Sequence, residues 1–216
     1  MGKKFFKNVW FWNALFLNRN EDVKLPFSKF LARLYSTCYS INLTKNSHLR
    51  YLDLCSCKCN VSVLNKLVDS CEFLEKISLC FLNLNSNIIN SISLKNGRTL
   101  QVLDLYYAKG LNLESIQQIV SYCGELKEVN LSATMLSYDS ISYFVRNITT
   151  KIEKLSLRFL FFLGDDPIKT LVSRCNKLTE IGMPNFWFNS LTLDGIHLRA
   201  SCTFVFWGSG APWWWH

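Results

Sequence analysis

The chain has 216 residues, 49% of them hydrophobic and 19% charged, which supplies ample apolar material for a continuous core and excludes the disordered class. Its 24 Lys and Arg against 16 Asp and Glu leave a net charge of +8; that excess favours acidic partners or weak nucleic-acid attraction, and the plainer reading, a basic scaffold with no nucleic-acid partner, is preferred. Nine cysteines are an odd set and favour free thiols in a reducing compartment over a disulfide framework.

Residues 1–44 carry no repeat. Lys3, Lys4 and Lys7 precede an apolar run from Val9 to Leu17, an order that resembles a secretory signal. The run is too short to span a bilayer, Asn13 interrupts it, and no clean small-x-small cleavage site follows. This segment is expected to cap the open edge of what comes next, with Phe30, Leu31 and Leu34 at helical spacing supplying part of the cover.

From residue 45 to 186 one pattern recurs. It reads Leu49-x-x-Leu52-x-Leu54, Leu74-x-x-Ile77-x-Leu79, Leu100-x-x-Leu103-x-Leu105, Leu126-x-x-Val129-x-Leu131, Ile152-x-x-Leu155-x-Leu157 and Leu178-x-x-Ile181-x-Met183, with first positions stepping by 25, 26, 26, 26 and 26. A period of about 20 to 29 residues with this core is the leucine-rich repeat. It predicts an α/β fold, a right-handed horseshoe solenoid of about six repeats of 26 residues, each contributing a short parallel strand, a turn and a helix. Between the cores, Leu64, Leu67 and Val68, then Ile116, Ile119 and Val120, then Ile141, Phe144 and Val145, then Ile168, Leu171 and Val172 fall on single helix faces. Pro167 suits a first helical turn, with Asp165 or Asp166 available as cap. The copy at 74–99 carries Asn83, Asn85, Asn87 and Asn90 among Ile88, Ile89 and Ile92, a dilution that predicts a short or irregular helix.

Cys71, Cys123 and Cys175 each precede a leading leucine by three residues and read as small buried groups at helix ends. Cys57 sits where the repeat pattern asks for Asn or Cys, whereas the other copies carry Leu82, Ala108, Thr134, Leu160 and Phe186. The cluster Cys55-Ser56-Cys57-Lys58-Cys59 lacks the paired spacing of a zinc site, so no metal is expected; alternation puts Cys55 on the sheet face and Cys57 in the turn. Sequons at Asn42, Asn60, Asn130 and Asn147 read as chance matches, because a glycan on Asn130 would obstruct the sheet. Residues 187–216 form an irregular Trp-rich tail in which no helix or strand period is evident. Two readings stand there, an exposed aromatic anchor and a segment foreign to the native protein, with the second preferred.

The junctions Ser70-Cys71-Glu72-Phe73-Leu74, Tyr122-Cys123-Gly124-Glu125-Leu126 and Arg174-Cys175-Asn176-Lys177-Leu178 belong to a cysteine-bearing repeat subtype. Through them the chain resembles the F-box/leucine-rich-repeat protein family over roughly residues 45–183. In that family the F-box docks an adaptor of a cullin-based ligase and the repeats hold the substrate. The resemblance therefore implies the substrate-recognition part of an SCF-type E3 ubiquitin ligase in ubiquitin-dependent degradation, in cytoplasm, nucleus or both. Leu25-Pro26 followed by Phe30, Leu31 and Leu34 echoes only the first helix of an F-box, so the adaptor contact implied for residues 1–44 has a stated alternative: a leucine-rich repeat binding scaffold without ligase association.

Period-two alternation points the leucines inward and sends the residues between them to the concave sheet face. The candidate partner-binding residues are Tyr51, Asp53, Lys76, Phe81, Asp104, Tyr106, Tyr107, Glu128, Asn130, Lys154, Arg158 and Phe159, and the expected occupant is a protein substrate or peptide. Tyr106, Tyr107, Arg158 and Phe159 stand out, since aromatic and arginine side chains dominate interface hot spots. They lie two repeats apart, roughly 10 Å across a sheet, within reach of one peptide. The other reading of Tyr107 and Phe159 is that they close the turn beneath the sheet. His48, His197 and His216 are scattered, and no nucleophile, base and stabiliser converge; neither an enzyme nor a cofactor is expected, and no membrane span.

Overall fold

The computed structural model describes residues 49–56, 60–160 and 165–182, with the backbone of 203–205. The segment expected to be a cap, and Cys57 and Cys59, lie outside those residues. Three-residue strands at β1 (Tyr51–Asp53), β2 (Lys76–Ser78), β3 (Val102–Asp104), β4 (Glu128–Asn130), β5 (Lys154–Ser156), β6 (Glu180–Gly182) and β7 (Thr203–Val205) form one parallel sheet in strict chain order. The register pairs the middle leucine of each copy with that of the next: Leu52 with Ile77, then Leu103, Val129, Leu155 and Ile181. Each of these is buried.

Helices α1 (Val61–Asp69), α2 (Ser86–Asn96), α3 (Leu113–Tyr122), α4 (Tyr138–Asn147) and α5 (Asp165–Arg174) connect the strands and pack in sequence, each on the next. Packed helices need about 8–10 Å each, whereas paired strands need about 4.8 Å. A layer of helices on one side of the sheet therefore bends it, and the sheet takes the inner, concave side of an open solenoid. The helical stripes are buried as their spacing requires: Leu64, Leu67, Val68, Ile116, Ile119, Ile141, Phe144, Val145, Ile168 and Leu171 form one core with the leucines, and Val120 and Val172 pack at its margin. Pro167 falls in the first turn of α5, where its missing N–H leaves no bond unmade. Cys71, Cys123 and Cys175 are buried at the helix ends. Burial pushes the Cys71 and Cys123 thiols up to about 11.

The Asn-rich copy departs from expectation. Its helix α2 has 11 residues, the longest among those described, and Ile88, Ile89 and Ile92 are all buried. Two of the asparagines that bracket it have tasks at its ends. Asn85 is the N-cap, its side chain accepting the Ile88 N–H at 3.0 Å. Asn96, fully buried, accepts the Leu74 N–H at 2.8 Å and donates to the Cys71 carbonyl at 3.1 Å, satisfying two backbone groups of the preceding copy. Asn87 simply faces solvent. The same device of one copy closing the end of the previous one recurs at Arg174, whose guanidinium donates to the carbonyls of Val145 and Ile148 at the end of α4.

The reading that no strand period organises the chain near residue 203 is also corrected. Strand β7 pairs with β6 in parallel, Ile181 facing Phe204, an interval of 204 − 181 = 23 residues against 26 for Leu155 to Ile181.

Candidate protein-binding face

The copies from β1 to β5 leave their strands through the same turn, and the turn decides which side chains reach the concave surface. Ser56, Phe81, Tyr107, Ala133 and Phe159 occupy one turn position in successive copies, and all five have positive φ, between 53° and 63°. A left-handed residue other than glycine costs about 1–2 kcal/mol, so something must hold it. Phe81 N–H donates to the Tyr106 carbonyl at 3.0 Å, Tyr107 N–H to Ser132 at 2.9 Å and Ala133 N–H to Arg158 at 2.8 Å, so each turn is tied to the next copy. On the strand side, Asp53, Asp104 and Asn130 each accept, through Oδ1, the N–H two residues ahead, at Cys55, Tyr106 and Ser132. These are Asx turns.

That bonding corrects two of the expected surface residues. Asp104 is 1% exposed and Asn130 7% exposed; they lie under the turns and cannot meet a partner. Ser78 and Ser156, in the same row of the sheet, are buried too. Alternation points this row away from the helices as expected, but neighbours 4.8 Å away on both sides, and the larger side chains of the following position, cover it. Asp53 stays exposed, with no described strand beyond β1. Burial raises the Asp104 carboxyl above the usual carboxylate range, against hydrogen bonds from Cys80, the Tyr106 N–H, Asn130 and Ser78 that favour its charge.

Above this buried row the structure gathers the aromatic candidates. Phe81 meets Tyr106 edge-on at 5.2 Å between ring centroids and lies 5.4 Å from Tyr107, while Tyr106 and Tyr107 are 6.4 Å apart. Lys109, which sequence reasoning missed, places its Nζ 5.7 Å from the Tyr107 ring centre. Its signal was positional: the chain beyond the turn keeps pairing, with Asn83 bridged to Lys109, so residues past the turn still lie beside their counterparts. Phe81 is 52% and Tyr107 45% exposed. The turn is thus closed by the backbone of these residues while their rings face outward. Phe159 is half-buried.

Toward β6 the face becomes charged. Glu128, Lys154 and Glu180 are direct register partners, with Lys154 Nζ 3.4 Å from Glu128 Oε1. Lys76 and Tyr51 continue the same row toward β1, half-buried and exposed respectively. Burial lowers Arg158 from its ordinary value, and the nearby charge of Glu180 and the Tyr106 phenol oppose that; Glu180 is raised by burial, with Lys154 and Arg158 opposing. A side chain at Gly182 would meet Ser156 Oγ at 2.7 Å and Arg158 Nε at 3.0 Å. The glycine therefore makes room for the Arg158 guanidinium to lie across β6. Between Tyr106/Tyr107 and Arg158/Phe159 the intervening copy has the buried Ser132 and the half-buried Ala133, small groups that leave the two larger pairs standing on either side.

The sequons also find structural tasks. Asn130 is in its Asx turn, Asn60 caps α1 by accepting from Ser62 N–H, and Asn147 donates to the Tyr143 carbonyl; Asn42 lies outside the described residues. Among those residues no helix is long and apolar enough to cross a membrane.

A family profile described as the SKP2 LRR domain matches residues 31–196. Among solved structures, the leucine-rich repeat-containing protein LegL7 from Legionella pneumophila is similar at 12% identity, covering 70% of this chain and 59% of that one, with a TM-score of 0.37. The chain thus spans less than two thirds of the length of that structure.

Proposed function

The chain belongs to the SKP2 leucine-rich-repeat domain family, and from that premise we propose that it is a protein-binding module serving as the substrate-recognition part of an SCF-type, cullin-based E3 ubiquitin ligase. It acts by binding and not by catalysis, without a cofactor, in the cytoplasm, the nucleus or both. Its occupant is a protein substrate or peptide on the concave face. The observation that carries this reading is the cluster of Phe81, Tyr106 and Tyr107, which leaves the Phe81 and Tyr107 rings exposed, braced by the half-buried Tyr106, where a globular surface would bury them. Rings locked by mutual contact lose little entropy when a partner covers them, and the half-buried Arg158, two copies along the face, adds a directional donor. Adaptor docking through residues 1–44 completes the proposal.

The test is native affinity purification of the full chain from reducing extract, comparing wild type with Tyr106→Ala/Arg158→Ala. The reading expects a captured protein that the double variant loses, with a cullin-ligase adaptor present in both samples. Equal capture by the folded variant would refute the surface assignment. Capture of a partner with no adaptor would favour the second reading, a repeat scaffold without ligase association. That reading has its own support, since the family match is to a repeat domain, whose binding face needs no ligase to work.

A further inference from the structure

The parallel ladder does not stop at the end of β1. Leu54 N–H donates to the Ser78 carbonyl and Ser56 N–H to the Cys80 carbonyl, both at 2.9 Å, so the register that pairs Asp53 with Ser78 continues and sets Cys55 opposite Cys80. Both sulfurs reach one hydroxyl. Cys55 Sγ lies 2.9 Å and Cys80 Sγ 3.3 Å from Ser78 Oγ, which bounds the distance between them at 2.9 + 3.3 = 6.2 Å. The hydrogen bond with Cys55, then burial, push the Cys80 thiol far above its ordinary range, as expected of two thiols facing each other. Facing residues of a parallel pair are about 4.8 Å apart, inside the roughly 4.4–6.8 Å window between Cα atoms that a disulfide spans. Among the described cysteines the remaining three, Cys71, Cys123 and Cys175, are buried at helix ends on the other side of the sheet. Cys55 is the half-exposed one, and Cys80, 5% exposed, stands behind it.

We propose that Cys55 and Cys80 are a modification site, a dithiol on the concave face that a hydroperoxide closes to a disulfide and a dithiol reductant reopens. The half-exposed Cys55 sulfur attacks one oxygen of hydrogen peroxide; the O–O bond breaks, one water leaves, and Cys55 becomes a sulfenic acid. The Cys80 sulfur then attacks the Cys55 sulfur; the S–O bond breaks, and the hydroxide departs as a second water with the Cys80 proton. Two thiols have lost two electrons in total, and one peroxide has become two waters. Rotation of both side chains off Ser78 brings the sulfurs together. Because the bridge has one end at the half-exposed Cys55, it is of the accessible, readily reduced kind that suits a reducing compartment. This site is independent of what the concave face binds.

The test treats the full-length native chain with hydrogen peroxide, blocks remaining thiols, digests with trypsin without reduction and maps cross-linked peptides. Lys58, Lys66 and Lys76 place Cys55 and Cys80 on different peptides, with Cys57 on that of Cys55 and Cys59 on a third, so peptide mass identifies a Cys59 pairing, and fragmentation together with the cysteine variants separates Cys55 from Cys57. The expected result is loss of two free thiols and a dominant Cys55–Cys80 peptide pair. A dithiol should remove the pair, Cys55→Ser should abolish it, and the double change Cys57→Ser/Cys59→Ser should leave it intact. A Cys55 bridge to Cys57 or Cys59, or Cys55 oxidised to the sulfinic acid while Cys80 stays free, would overturn the proposal.

Discussion

At β2 and β3 the concave face carries Phe81, Tyr106 and Tyr107 in mutual contact, with Lys109 over the Tyr107 ring; at β4 to β6 it carries Glu128, Lys154 and Glu180, in the register of Lys76 and Val102, and Arg158 at the position of Tyr106, and these interact as charges. The backbone, turn and spacing are the same at both ends. Under the proposed binding role the two ends would divide the labour. Covering apolar surface yields about 25 cal/mol per Å², so the aromatic end would supply affinity. A partly exposed ion pair such as Lys154 with Glu128 contributes about 0–1 kcal/mol, so the charged end would set orientation and on-rate.

The strongest way to break that division is to remove the rings. Tyr106→Ala/Tyr107→Ala should weaken the captured partner about thirtyfold or more, roughly 2 kcal/mol, as hot-spot truncation does, measured by titration calorimetry; a smaller loss than that of Arg158→Ala would invert the comparison. Beneath the boundary lies Asp104. Asp104→Ala should destabilise the fold by about 1–3 kcal/mol in urea by leaving the Tyr106 N–H unpaired, whereas Asp104→Asn keeps the turn as Asn130 does and should be neutral or stabilising. The folded value of Asp104 is raised by burial, so the wild-type contribution is fully present below the ordinary carboxylate value and is lost as pH rises through the folded value. The advantage of Asp104→Asn should therefore widen as pH increases through that folded value; an advantage independent of pH would place the charge elsewhere.

At the charged end, Gly182→Ala displaces Arg158 without deleting it. It should lower affinity by about tenfold, near 1.4 kcal/mol, and match Arg158→Ala; a full loss in one and none in the other would separate the arginine's charge from its position. The smallest effect belongs to Lys154→Ala, which should change equilibrium affinity by less than about 1 kcal/mol while reducing the salt dependence of the association rate, read by stopped flow at two ionic strengths.

The strands, their register and the buried helical faces could be read directly from leucine spacing, because a middle leucine one period from the next has nowhere to go but the shared core. What could not be read involves polar residues whose role depends on neighbours. Asn85 and Asn96 look like breaks in an apolar stripe until their backbone partners are placed, and Asp104 alternates outward like Tyr106 yet is covered by adjacent copies. Tyr106, Tyr107 and Arg158 were legible as surface residues; their grouping with Phe81 and Lys109 was not, since it arises from the turn and from pairing beyond it. Strand β7 escaped because its interval is three residues short of the period, Phe204 pairing with Ile181.

The unbroken register has one more consequence. Because every copy pairs in the same alignment with the next, the face is a ruler graduated in steps of about 4.8 Å, and distances along it are whole numbers of graduations. Tandem duplication of residues 126–151, one complete period, would move Arg158 one graduation further from Tyr106 without altering either. The separation between the two chemistries is thereby an adjustable quantity, set by how many copies the gene places between them.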